Sequence, residues 1–284
     1  MEEKIKRENY VRSRFFKSLE YVLLVFTSCV FLIPIVWMFS TSLKPNNETM
    51  SIPPKLIGST IEWGNYAKAW NFLPFGVFMK NSFIVAVTVT VLVVITSSLA
   101  AYAFARIQFK GRDTLFLMYL GTLMIPQQVT MIPLFIIMKK LGWVDTYQAL
   151  ILPVSFTAFG TFLMRQFFLT IPQELEEAGR IDGCSPFGLY ARIIMPMSKP
   201  ALSTLAIFSF IGQWRNFLWP LIVINKTDMK TLPLGIRMFQ GQYGTEWNLL
   251  MCATAIVIIP SILIFIILQK YLVEGISLTG MGGR

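Results

Sequence analysis

The 284-residue sequence contains no histidine, which removes the commonest general base and a frequent metal ligand. Its three cysteines, Cys29, Cys184 and Cys252, are too widely separated for zinc-ligand spacing or a disulfide framework. The chain also lacks the G-x-x-x-x-G-K-[ST] phosphate loop, so it does not cradle ATP by that route. Charge is scarce: only 14% of residues are Asp, Glu, Lys or Arg, against 55% hydrophobic residues and a mean hydropathy of +0.60. A water-soluble domain of this size needs far less apolar surface to build its core. These absences leave a membrane protein with no cofactor, no metal and no catalysis of its own. The net charge of +10 is then read first as a topological signal rather than as affinity for nucleic acid.

Six segments are free or nearly free of charge: 21–43, 81–105, 114–138, 146–164, 201–225 and 247–269. Each approaches or exceeds the roughly 20 residues that cross a hydrocarbon core. The first follows a basic stretch that includes Lys4, Lys6, Arg7, Arg12, Arg14 and Lys17, and no small-residue cleavage site follows it, so it reads as a retained helix. With six crossings, the larger share of the bases falls on the N-terminal side of the membrane, which predicts both termini in the cytoplasm. The expectation is an all-α polytopic protein in which residues 1–284 form one transmembrane domain. Residues 44–80, with Pro45, Pro53, Pro54 and Pro74, read as an ordered external loop. Pro34, Pro126, Pro133, Pro153, Pro220 and Pro260 lie in or at the ends of the apolar runs, where each lost backbone hydrogen bond has to be made good by neighbours or water.

Between the fourth and fifth runs stands the charged stretch Glu174-Leu175-Glu176-Glu177-Ala178-Gly179-Arg180-Ile181-Asp182-Gly183-Cys184. Thr170 is placed to cap a helix starting at Ile171-Pro172, with Gln173 completing a capping box. That helix should run to about Asp182, with Glu176 and Arg180 paired four residues apart. Gly183 suits the left-handed position that ends it, and Ser185-Pro186 opens a second helix through about Ile194. The loop 170–196 is therefore expected to be two short helices at an angle, outside the membrane.

Glu177-Ala178-Gly179, Asp182-Gly183 and Ile194-Met195-Pro196 together resemble the coupling motif of membrane subunits of ATP-binding-cassette importers. Gly179 and Cys184 stand where that family usually has Ala, and Met195 where it has Leu, a volume-conserving change. The resemblance covers nearly the whole chain and lies nearest the second permease of carbohydrate importers of the maltose and arabino-oligosaccharide group. Asn81-Ser82, the run Ala100–Arg106, Met124-Ile125-Pro126 with Ile132-Pro133-Leu134, Leu150-Ile151-Leu152-Pro153 and the run Phe162–Phe168 carry it. It implies a type I importer permease fold with N- and C-termini in the cytoplasm of a bacterial or archaeal cell membrane. The implied partners are a second homologous permease, two ATPase subunits that dock Glu177, Ala178, Gly179, Asp182, Gly183, Ile194 and Pro196, and an extracytoplasmic solute-binding protein. Nucleic acid is not among them.

The fifth run holds Gln213-Trp214-Arg215-Asn216, followed by Phe217-Leu218-Trp219-Pro220, where relatives carry Trp-Asn before an acidic or amide residue. Arg215 departs from that pattern. Arginine inside a membrane run faces water or a partner, and two readings stand: contact with an anionic group on the solute, such as a uronate or phosphate, and a structural contact near the outer interface. Gln213, Trp214, Arg215 and Asn216 form the candidate substrate path, and Trp219 reads as an interfacial anchor. Residues 226–247 correspond by position to the loop that reaches a binding protein, and the glycine-rich tail from Glu274 resembles one that approaches the ATPases. A secondary transporter would carry mid-membrane ionisable residues for ion coupling, and these runs hold only Arg215. An importer for another solute class, an amino acid or a phosphate ester, is the nearer alternative.

Overall fold

The computed structural model describes residues 2–241 and 244–280, with side chains described for 17–240, 245–267 and Gln269. The basic side chains up to Arg14 and the last part of the glycine-rich tail, 281–284, lie outside the described residues. In chain order the helices are α1 (Glu2–Ser42), α2 (Gly64–Phe72), α3 (Phe75–Arg106), α4 (Arg112–Gly121), α5 (Gln127–Lys140), α6 (Tyr147–Ile151), α7 (Ala158–Thr170), α8 (Glu174–Ile181), α9 (Pro186–Leu189), α10 (Met195–Met197), α11 (Lys199–Trp214), α12 (Leu218–Val223), α13 (Leu232–Ile236) and α14 (Trp247–Gly280). A two-residue antiparallel ladder, β1 (Gln240–Gly241) with β2 (Gly244–Thr245), precedes α14.

Among the described residues, three helical stretches are long and apolar enough to cross a membrane: Lys17–Ser42, Phe75–Arg106 and Trp247–Ile267. The other expected crossings are bent. Arg112–Met124 and Gln127–Lys140 meet at 99°, and Tyr147–Val154 and Ala158–Thr170 at 42°. Proline chemistry places these breaks. Ile125 precedes Pro126 and is extended, with φ −86° and ψ 115°, because the proline ring disfavours the helical region for its neighbour. The expected continuous run 201–225 is divided at Arg215–Phe217, four residues before Pro220, whose ring and missing N–H disrupt the turn at Asn216. Pro153 likewise deprives the Ala149 carbonyl of its helical donor. The Trp219 indole N–H takes that place at 2.8 Å. Trp219 is 1% exposed, so it is a core residue rather than the expected interfacial anchor.

The chain divides into two units, one of residues 1–69 with 239–256 and one of 70–238 with 257–284. In the first, the segment after α1 is ordered by side-chain hydrogen bonds, as its prolines and polar residues led us to expect. Buried Asn65 donates to the Ser42 and Lys44 carbonyls at 3.1 and 3.0 Å, and Cys252 Sγ donates to the Ser42 carbonyl at 3.3 Å. Lys44 is almost fully buried, with its ammonium 4.5 Å from the Trp37 ring centre; burial holds its pKa below the ordinary value, against the attraction of Glu48. α1 itself is nearly uncovered, with only 6% of its apolar window buried.

In the second unit α3 is the spine. Val85, Val89, Val93, Ser97 and Ala101 recur at helical spacing and are buried, chiefly against α7 and α11. Gly160 of α7 permits this approach: a Cβ there would lie 2.5 Å from Ser97 Oγ and 3.1 Å from Leu205 Cδ1.

Candidate functional site

Helices α8 to α10 form the elbow expected between the fourth and fifth runs. Glu174, Glu176 and Glu177 occupy the first turn of α8, where carboxylates meet the positive end of the helix dipole, and Arg180 occupies its last turn. The end of α8 is a Schellman motif. Cys184 N–H donates to the Gly179 carbonyl at 2.9 Å and Gly183 N–H to the Arg180 carbonyl at 3.0 Å, with Gly183 at φ +80°. Ser185 Oγ then accepts from the Gly188 N–H at 3.1 Å, and Pro186 begins α9. Between α9 and α10 the chain widens into one π-helical turn, Tyr190–Ile194. Both the left-handed glycine and the second cap match the sequence expectation.

Two details differ. Thr170 is the last residue of α7, and its hydroxyl donates back to the Phe167 carbonyl, so it does not cap α8. Gln173 occupies that cap position without a side-chain bond. Glu176 pairs not with Arg180 but with Arg106, the last residue of α3, at 2.7 Å. The two side chains are 5% and 4% exposed. The same guanidinium donates to the Phe168 and Ile171 carbonyls at 2.7 and 2.6 Å. The Arg106 Nε–H does not point along a hydrogen-bond direction at Glu176 Oε1, so that contact is electrostatic rather than a linear hydrogen bond. Breaking such a buried pair by removing one charge costs about 3–5 kcal/mol, because the other is left without compensation.

Around this pair, Tyr190 of the π turn shares a hydrogen bond with Ser98 of α3 at 2.8 Å, and its ring meets that of Tyr102 at 5.4 Å. Gly179 faces Leu189 and Ile193, each of which would lie 2.7 Å from an added Cβ, so the glycine lets the two arms of the elbow close on each other. Ala105, Arg106, Gln108, Gln173, Glu176, Glu177 and Arg180 line a polar cavity of about 190 Å³. Of the motif residues, Glu177, Ala178, Asp182, Gly183 and Pro196 are exposed, and Gly179 and Ile194 are buried. The elbow also exposes four large apolar side chains, Ile181 at 87% and Phe187 at 68% above all, with Met197 at 43% and Leu175 at 39%.

The candidate substrate path is dispersed. Gln213 and Asn216 bond to each other at 3.2 Å. Trp214 is 2% exposed, stacks on Phe210 and donates its indole N–H to the Val257 carbonyl, leaving no free face for a sugar ring. Arg215 is exposed at the C-terminal cap of α11 and has no acidic partner among the described residues. Gln213 lines a cavity of about 180 Å³ with Val93, Val154, Thr157, Phe159, Leu205, Phe208, Ser209 and Gly212.

Beyond α12, the loop 226–238 is fastened to the first turns of α3. Asn81 Nδ2 donates to the Asp228 and Lys230 carbonyls at 2.8 and 2.9 Å, while its Oδ1 accepts from the Tyr147 hydroxyl at 2.6 Å. Ser82 Oγ accepts from the Leu232 N–H, and Gly235 packs directly on the ring of Phe78. Asp145, at φ 61°, accepts from the backbone N–H groups of Asn225 and Lys226. Burial pushes its carboxyl up, but the Lys226 and Asn225 amides outweigh it, and the pKa lies below the ordinary aspartate value. The roles of Arg106 and Asn81 escaped the sequence reading, although both residues sit in the runs that carry the family resemblance.

Bent apolar helices around a central spine, with a charged elbow tied to its end, define an all-helical fold of membrane type. The chain belongs to the binding-protein-dependent transport system inner membrane component family, whose pattern matches residues 93–278. It is 35% identical over 263 residues to the arabinooligosaccharides transport system permease protein AraQ of Halalkalibacterium halodurans, covering 91% of this chain and 94% of that protein. It is 34% identical over 264 residues to the sn-glycerol-3-phosphate transport system permease protein UgpE of Pectobacterium atrosepticum, covering 90% and 94%. A crystal structure of a bacterial ABC transporter involved in import of the acidic polysaccharide alginate contains a chain of the same fold, with TM-score 0.81, 23% identity and coverage of 91% and 96%.

Proposed function

We propose that the chain is one of two permease subunits of an ATP-driven importer, and that it forms with its homologue the path for a sugar or oligosaccharide delivered by an extracytoplasmic binding protein. In this reading the chain crosses the membrane six times with both termini in the cytoplasm. α1, α3 and α14 supply three crossings, α4–α5 and α6–α7 two bent ones, and α11 with α12 the sixth. The elbow α8–α10 is the cytoplasmic coupling element. Glu177, Ala178, Gly179, Asp182, Gly183, Ile194 and Pro196 form or support the surface that an ATPase subunit grips. Hydrolysis belongs to that ATPase, and this chain converts its closure into movement of helices, a population shift between inward-open and outward-open states.

The observation that carries the reading is the exposure of apolar side chains, Ile181 and Phe187 above all, on a charged, internally braced elbow. Lipid would reject its carboxylates, and water gains nothing from its exposed apolar side chains. A protein groove accommodates both. Relatives named for arabino-oligosaccharides and for sn-glycerol 3-phosphate support the solute class, and Arg215, with no acidic partner among the described residues, fits an anionic group on the solute.

The test is purification of the chain from its native membrane in mild detergent, with copurifying proteins identified and ATP hydrolysis assayed with and without the recovered binding protein. Expected are a second permease, an ATPase and hydrolysis accelerated by loaded binding protein. That protein would then be screened against arabino-oligosaccharides, sn-glycerol 3-phosphate and alginate oligomers. Recovery of the chain alone, without hydrolysis, sinks the importer reading.

A further inference from the structure

We propose that the Arg106–Glu176 pair is the joint that makes the elbow and the spine helix move together, so that both are positioning residues for coupling; this rests on the importer reading above. The chain between α7 and α8 is short, contains Pro172 and gives α8 no side-chain cap. Left to that connection, α8 could swivel about residues 171–173 when pulled, and the pull would be lost locally. One guanidinium prevents this. Arg106 ends α3 and holds the Phe168 carbonyl of α7, the Ile171 carbonyl of the connection and the Glu176 carboxylate of α8. Three elements are thereby fixed at one point, out of water, where the pair is screened little by salt.

The burial argues against a merely solvated contact. An exposed pair contributes little and would not hold a lever. A buried pair gives way only when both charges are resolvated, so it transmits displacement rather than absorbing it. Tyr102 faces the same carboxylate from one turn earlier on α3, and the Tyr190–Ser98 bond ties the second arm of the elbow to that helix. Arg106 is set apart because it engages the first arm and the end of α7 together. The motif residue Glu177 stays exposed beside the pair and remains available to a partner.

The experiment uses the assembled complex in lipid nanodiscs, with MgATP and orthovanadate as the probe. A single reporter cysteine replaces Thr227 in the loop fastened to the other end of α3, on a background lacking the native cysteines. Its reactivity to a maleimide is compared between nucleotide-free and vanadate-trapped states. Glu176→Gln removes one charge at constant shape, Arg106→Lys keeps the charge but cannot hold three acceptors in a fork, and Glu174→Gln makes the same charge change on the exposed face of α8.

For Glu176→Gln and Arg106→Lys the ATPase should still copurify and hydrolyse ATP, while the nucleotide-dependent change at residue 227 shrinks by about fivefold or more, the scale of a typical coupling free energy. Glu174→Gln should respond as the parent does. An undiminished response in both pair variants would overturn the proposal. Loss of folded permease in both would overturn it too, by making the pair a condition of folding instead. A parent complex that recruits no ATPase, or shows no response to nucleotide, fails the importer reading itself and is recognised before any variant is compared.

Discussion

Gly235 and Asp145 show how single residues hold the loop beyond α12 in place. A Cβ on Gly235 would stand 2.2 to 2.9 Å from three atoms of the Phe78 ring, and Phe78 is fully buried and cannot swing away. Gly235→Ala should therefore cost about 1–3 kcal/mol of stability, as overpacking does elsewhere, and lower the unfolding midpoint in detergent. Adding Phe78→Leu should recover part of that loss, and a double variant no better than the single one would place the strain elsewhere. Asp145 acts through charge and backbone at once. Its folded pKa is depressed, so its contribution is present above the ordinary aspartate pKa and is lost as pH falls through the lower folded value. Asn at 145 tolerates the positive φ and keeps an acceptor but cannot titrate. Asp145→Asn should thus flatten the stability profile at and below the ordinary aspartate pKa of about 4 relative to the parent. Asp145→Ala loses both acceptor contacts and strains the backbone, and should cost about 2 kcal/mol at neutral pH.

Among the elements, the elbow rests on one backbone position. Gly183 sits at φ +80° with open space around its α-carbon, so substitutions there are read by conformation rather than by packing. Proline fixes φ near −65° and removes the N–H that bonds Arg180, so Gly183→Pro should abolish uptake while the protein remains membrane-inserted. Gly183→Ala should cost only about 1 kcal/mol and leave measurable uptake. Normal transport by the proline variant would refute the coupling role. This element was legible in sequence because its signals are local: a glycine that must be left-handed, a serine before a proline, and charges between apolar runs. What stayed hidden depended on distant partners. Glu176 had Arg180 at helical spacing, and only the fold brings Arg106 closer and buries it. The apolar runs mark where the apolar helices fall, yet the run 114–138 conceals a 99° bend, because hydropathy counts side chains and is blind to a proline's effect on backbone direction. Trp219 shows the same limit. Its partner carbonyl exists only because Pro153, far away in sequence, removed that carbonyl's helical donor.

For the molecule as a whole, orientation in the membrane is the property on which the mechanism turns, and the three native cysteines allow it to be tested without adding a label site. Maleimides react with thiolates, which form in water and not in hydrocarbon or a packed interior. Cys252 is fully buried, and Cys29, exposed on α1, lies within the apolar window that the proposed topology sets in lipid, so on that topology neither thiol meets bulk water. Cys184 is partly exposed, one residue beyond the turn that ends α8. A membrane-impermeant maleimide applied to intact cells should therefore leave the chain unlabelled, whereas inside-out vesicles should label it at Cys184, and Cys184→Ser should abolish that signal. Labelling from the outside would put the elbow on the wrong face for an ATPase and would reverse the topology drawn from the basic residues. In the assembled importer the ATPase should cover the elbow. Stripping it with a chaotrope should then raise Cys184 reactivity in inside-out vesicles, which ties orientation and partner contact to one thiol.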